Sequence, residues 1–188
     1  MGVFISWYME LNYDLNENDF LNFQLYYASQ NDKFVSQRNR DRLRLPGLSL
    51  LFGMVLLFDD MSSIWAYILI ISSFLFFVFY KWWSAWFYKR LYKRQIKENM
   101  KDDFPYHIKL LLDNDVIEID SKKGCRRYNV RDIEHISETG AYFYIVTNQI
   151  YIIVPRNQIP EIEILRNQLQ NYKDSGIPYL EKLDWKWR

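Results

Sequence analysis

The stretch Leu45–Tyr80 reads LPGLSLLFGMVLLF, then DDMSS, then IWAYILIISSFLFFVFY. Its two apolar runs predict two membrane-spanning helices joined by a tight turn. The second run, Ile64 to Tyr80, carries no charge. With Met61, Ser62 and Ser63 it supplies about 20 residues, enough for a hydrocarbon core of ~30 Å. The first run lies between Arg44 and Asp59, and at 1.5 Å per residue it rises only roughly 20 Å. Local thinning of the bilayer, packing against the second helix, and the need to return the chain to its starting side let it span as well. The alternative is a buried hairpin inside a soluble domain. A hairpin this apolar on every face needs a larger core around it than the remaining residues can build.

Flanking charge sets the orientation. Lys33, Arg38, Arg40, Arg42 and Arg44 precede the hairpin, offset only by Asp41, and Lys81, Lys89, Arg90, Lys93, Arg94 and Lys97 follow it. The turn carries Asp59 and Asp60 and no base. Positive charge stays on the cytoplasmic side, so the expected location is the cell (inner or plasma) membrane, multi-pass, with both termini cytoplasmic.

Composition agrees with one domain besides the hairpin. Hydrophobic residues make up 49% of the 188, yet the mean hydropathy is −0.29, so the apolar runs are a minority of the chain. The net charge of +1 excludes a globally basic nucleic-acid binder. The bases cluster beside the apolar runs instead, where anionic lipid headgroups are the nearer partner. A single cysteine, Cys125, excludes an internal disulfide or a CxxC metal site and fits a reducing compartment. Much of the aromatic content borders the second run: Trp82, Trp83, Trp86, Phe87 and Tyr88 form the belt expected at headgroup level. No cleavable signal is visible in Met1 to Tyr13. Residues Met1 to Ser6 fit a myristoylation pattern formally, but a chain with its own hairpin needs no lipid anchor.

Taken in order, Phe4 to Tyr13 reads as a strand. Asn16 caps a helix over Glu17 to Ser29, with Asp19 in its first turn. SQNDKFVSQRNRDRLR is a polar linker, helical at most near the membrane. The second membrane helix runs on through WWSAWFYKRLYKRQIKENM as it leaves the bilayer, until Pro105 closes it. The pattern then changes to period two. Strands are expected over Ile108–Leu112, Val116–Asp120, Cys125–Val130, Ile133–Glu138, Ala141–Thr147 and Ile150–Val154, a meander of antiparallel pairs. Pro160 opens a helix whose Ile162, Leu165, Leu169 and Tyr172 share one face, and Gly176 stops it.

The expected fold is an α+β membrane protein: a two-helix transmembrane hairpin and a small antiparallel sheet or barrel of pleckstrin-homology-like (PH-like) strand count, plugged by the C-terminal helix. The N-terminal strand joins the later sheet, because an unpaired strand is a liability. The expected divisions are 1–44 (strand, helix and basic linker), 45–104 (hairpin and juxtamembrane helix), 105–176 (cytoplasmic domain) and 177–188 (tail).

YMELNYDLNENDFLNF, a basic linker, a two-helix hairpin, and then YNVRDIEHISETGAYFYIVTNQIYIIVPRNQI together resemble the YcxB-like membrane proteins. The C-terminal block carries the likeness through Ile133, Ile136, Glu138, Tyr142, Phe143, Tyr144, Ile152, Ile153, Val154, Pro155 and Arg156. Tyr128-Asn129-Val130-Arg131-Asp132-Ile133 departs from the Trp expected before Ser-Asp-Ile. The resemblance implies a bacterial inner-membrane protein with a PH-like cytoplasmic domain. That family has no settled biochemical activity. Similar membrane PH-like proteins are associated with self-immunity to peptide bacteriocins.

No catalytic constellation, cofactor motif or metal site is expected. His107 and His135 are isolated, and no Gly-rich phosphate loop, nucleophile elbow or HExxH occurs. Cys125 sits among Lys122, Lys123, Arg126 and Arg127, which would lower its pKa and make it reactive; the commoner alternative is a strand cysteine that is inert filler. Those four bases form the best candidate site, a basic hairpin for anionic headgroups in which each base contributes about 1 kcal/mol. The tail, with Trp185 and Trp187 flanking Lys186, is read as a loosely packed terminus or an interface contact. The expected function is a non-catalytic membrane module whose PH-like domain binds a protein, a peptide or an anionic lipid headgroup. The alternatives are immunity to a membrane-active peptide, or an accessory subunit of a membrane complex.

Overall fold

The computed structural model describes residues 9–100, 104–122, 124–174 and 176–188. Packing divides the chain into two units, one holding the chain up to Phe23 with Ile96–Lys186, the other holding Gln24–Gln95 with Trp187–Arg188.

The first unit is built from two four-stranded sheets. β1 (Met9–Leu15), β2 (Tyr106–Leu112), β3 (Val116–Ser121) and β4 (Gly124–Asn129) lie side by side in that order, all antiparallel. β1 therefore pairs with β2 across 90 intervening residues, Leu15 opposite Tyr106 and Met9 opposite Leu112. Of the strand expected over Phe4 to Tyr13, residues 4–8 lie outside the described residues. Asn16 caps α1 (Glu17–Gln30) as expected: its Oδ1 accepts from the Asn18 N–H at 2.8 Å, and Asp19 Oδ2 accepts from the Asn16 N–H at 2.7 Å.

The second sheet runs β7 (Tyr151–Pro155), β6 (Tyr142–Thr147), β5 (Ile133–Thr139), β8 (Tyr179–Lys182), with β8 parallel to β5. The two sheets form no closed barrel, and β8 occupies what was expected to be a loose tail. Its place depends on a close approach: a Cβ built on Gly140 would lie 2.8 Å from the Leu183 carbonyl oxygen, so only glycine fits there. The edge of β1 is finished by a side chain. The Asp14 N–H donates to Gln158 Oε1 at 2.9 Å, and Gln158 Nε2 donates to the Asp14 carbonyl at 2.8 Å. One amide thus replaces a ladder rung.

Between the sheets the inward positions of the period-two pattern are buried, among them Leu15, Leu110, Leu112, Ile117, Ile136, Phe143 and Ile145. α4 (Ile162–Asp174) buries Leu165, Leu169 and Tyr172 of the face read from the sequence, and Ile162 is half-buried. Tyr172 Oη donates to the Asp113 carbonyl at 2.6 Å, tying the helix to the β2–β3 turn. Gly176, at φ +86°, ends α4: its N–H reaches the Lys173 carbonyl, and the Ile177 N–H reaches that of Tyr172.

In the second unit the expected linker is helix. α2 runs unbroken from Asp32 to Asp59, about 42 Å long, and the Asn31 side chain caps it by accepting from the Lys33 and Phe34 N–H groups. A division at residue 44 would therefore cut a helix. Pro46 sits inside α2 without ending it. α3 (Ile64–Met100) is longer still, as the juxtamembrane reading required. The two helices form an antiparallel hairpin. Ser73 Oγ donates to the Pro46 carbonyl at 2.7 Å and Ser49 Oγ to that of Leu69 at 3.2 Å. Gly53 faces Ala66 and Ile70 so closely that an added Cβ would come within 2.8 Å of Ile70 Cγ1. The tail's end belongs here too: the Trp187 indole N–H donates to the Ala85 carbonyl at 2.8 Å, and Arg38 lies 5.1 Å over the Trp187 ring.

Candidate functional site

The hairpin shows its apolar residues outward. Phe58 is 92% exposed, Met61 78%, Ile64 72% and Trp65 71%, and the exposed series continues through Ile71, Phe74, Val78 and Phe79. Its buried residues are mostly small, with Pro46, Gly53, Ala66, Ser73 and Ser84 joined by the larger Tyr80. α3 alone among the described helices is long and apolar enough to cross a membrane, and 17% of its most apolar stretch is buried. A core helix of a soluble domain is mostly buried. α2, with charges up to Arg44, does not meet that measure.

The residues expected to form a belt do not all share one fate. Trp82, Trp83 and Trp86 are exposed, with Trp83 stacked on Phe87 and Arg90 5.4 Å over the Trp86 ring. Tyr88 turns inward against Phe34, ring centroids 4.8 Å apart. The orienting charges also divide. Arg40, Arg44, Lys89, Arg90, Lys93 and Arg94 are exposed. Arg38 is used internally, donating to Ser84 Oγ and to the Lys81 and Arg188 carbonyls, and Arg42 stacks over Phe77. Asp59 and Asp60 sit exposed at the tip. Asp60 Oδ1 accepts from the Ser62 hydroxyl and N–H, which holds its carboxyl below the usual range.

In the basic hairpin, Arg126 and Arg127 do not share a face. Alternation along β4 sends Arg126 to the inner face beside Ile119 and Tyr128, and Arg127 to the outer face beside Glu118. Arg127 Nη2 is 3.0 Å from Glu118 Oε2, so its charge is matched. Lys122 is exposed at the turn, and Lys123 lies outside the described residues. Of the two readings of Cys125, the structure opposes the activated thiolate. Its thiol donates to Glu118 Oε1 at 3.0 Å, and that carboxylate raises its pKa in spite of Arg127.

A second charged arrangement escaped the sequence. Glu138, 1% exposed, receives Arg156 Nη1 at 3.0 Å, Arg166 Nη2 at 2.6 Å and the Tyr179 hydroxyl at 2.7 Å. Burial alone would raise its pKa; the hydrogen bonds from Arg166 and Tyr179 and the two guanidinium charges outweigh burial and lower it. The partners come from β8, α4 and the turn after β7, and no spacing in the sequence relates them. Every oxygen of the carboxylate is engaged, so the group ties elements together and offers no open position. His107 lies beside Asp14 on the outer face, while His135 is apart from it on β5. Among the described residues no three His, Cys, Asp or Glu side chains converge on a metal position.

No protein-family model matches the chain, and neither a curated protein nor a solved structure matches it.

Proposed function

We propose that the chain is a non-catalytic membrane-anchored module. Its hairpin lies in the bilayer and its two-sheet domain, PH-like in the sense of the YcxB-like resemblance, is held on the cytoplasmic side to bind an anionic headgroup, a peptide or a protein. The exposed apolar surface of the hairpin carries this reading. Water does not sustain a patch of that extent on an isolated chain.

Magnitudes favour a full crossing over a hairpin that stops at mid-depth. The apolar run of α3 rises roughly 25 Å and that of α2 roughly 20 Å, so matching a ~30 Å core to the shorter run costs about 2–5 kcal/mol of thinning or snorkelling. Leaving Asp59 and Asp60 in hydrocarbon costs roughly 5–7 kcal/mol together. The tip therefore emerges on the far side, and the flanking bases keep both ends inside. Ser62→Cys in a Cys125→Ser background tests this. An impermeant maleimide should label it in intact cells. Labelling only after lysis overturns the crossing, and release of the protein from membranes by carbonate overturns the anchor itself.

A further inference from the structure

A cavity of about 210 Å³ lies in the two-sheet domain, between the inner face of the first sheet and the start of β7. Leu15, Ile108, Tyr128 and Ile152 line its depth and are buried. The other end of the sandwich is closed by α4 at the β2–β3 turn. This end is bordered, among the described residues, by Phe20 of α1 and Met100 of α3. It holds the β3–β4 turn, Ser121 opposite Gly124, level with Ile108, and Tyr106 Oη donates to Ser121 Oγ at 3.2 Å. Gly124 leaves the rim without a side chain, and Arg126 stands at the mouth.

Arg126 is the unusual element. It occupies an inward position of the period-two pattern, where its neighbours on the same face are Ile119 and Tyr128. Among the described residues its guanidinium has no carboxylate partner, whereas Arg127 next to it is matched by Glu118. An inward charge on an edge strand also discourages edge-to-edge pairing. That role requires no cavity behind it. A dry cavity of roughly 150 Å³ is enough to take up a benzene ring, so the space here suits a short alkyl segment or a ring.

We infer that this cavity binds an alkyl chain bearing an anionic head, carboxylate or phosphate, with the chain against Ile108 and Ile152 and the head on Arg126. The inference deepens the headgroup-binding part of the proposed function. The source is either a free alkyl carboxylate or a bilayer lipid, and the test separates them.

The full chain, labelled at isoleucine δ1 methyls, is placed in phosphatidylcholine nanodiscs and titrated with decanoate and with decanol. Decanoate should shift the Ile108, Ile119 and Ile152 methyls saturably, and decanol should bind at least about tenfold more weakly, about 1.4 kcal/mol. Arg126→Gln should erase that difference while leaving the spectrum folded. Ile152→Phe, which fills the space, should abolish both responses. Nanodiscs containing phosphatidylglycerol and no decanoate form the second arm: the same methyl shifts there identify the bilayer as the source, and shifts with decanoate alone identify the free acid. Absence of shifts in both arms overturns the inference, as does equal binding of decanoate and decanol. Failure of the membrane anchor itself would show separately, as carbonate release.

Discussion

The two units are built inside out relative to each other. In the sandwich, Ile136, Phe143 and Ile145 are fully enclosed, and the buried carboxylate of Glu138 is surrounded by donors. In the hairpin, Ile71, Phe74 and Phe58 face outward while Gly53, Ala66 and Ser73 face in. The same residue types thus mean opposite things in one chain, because, on the proposed reading, each unit is arranged for a different solvent. Substitutions that treat both units alike should give unequal results.

The largest effect is expected at Glu138. Glu138→Gln leaves Arg156 and Arg166 facing a neutral group in a partly buried site and should cost the domain about 3–4 kcal/mol. Chemical denaturation of the full chain in detergent measures it, and a loss under 1 kcal/mol would reduce the network to decoration. The same carboxylate predicts the acid limb. Its folded pKa lies below the ordinary value of 4.5, so its contribution is complete above that value and is lost as pH falls through the lower folded pKa. The slope of stability against pH below 4.5 should flatten in Glu138→Gln.

Next comes a matched pair of isoleucines. Ile145→Ala, at a fully buried position, should destabilise the sandwich by about 2–4 kcal/mol. Ile71→Ala, 59% exposed on the hairpin, should leave helix packing within about 0.5 kcal/mol. Equal losses at the two sites would mean that the hairpin's outer face is covered by protein. At the hairpin's inner face, Gly53→Leu should separate α2 from α3, read as loss of a cross-link between cysteines placed at Ser49 and Leu69, since even a Cβ meets Ile70 at 2.8 Å.

How far the sequence revealed this depended on how locally each feature was encoded. The six strands after the hairpin, α1 with its Asn16 cap and the stripe of α4 rest on periodicity and caps, and all occupy the expected places within two residues or so. The start of α2 was hidden because Asn31 and Asp32 lie in a polar run without an apolar stripe, although an Asn cap followed by Asp was there to be read. β8 was missed because YLEK is short and pairs in parallel with a strand far upstream. The Glu138 site was half visible. Glu138 and Arg156 stand in the family-like block, but Arg166 and Tyr179 reach it only through the fold. The split of Arg126 from Arg127 was fully legible, since neighbours on a strand face opposite ways.

That split leads to the smallest prediction. A basic surrounding alone would make Cys125 a ready thiolate. The strand instead places Glu118 and Asp120 of β3 opposite Arg127 and Cys125, and the thiol donates to Glu118. The nearest charge is therefore negative, ionising the thiol would set two anions side by side, and its pKa rises. Cys125 should react with iodoacetamide at pH 8 more slowly than a free thiol, despite being exposed. Glu118→Gln should speed the reaction on the order of a few-fold by removing that anion, while Arg127→Gln should slow it. A faster reaction in the parent chain than in Glu118→Gln would mean that the bases, and not the cross-strand carboxylate, set the character of this strand.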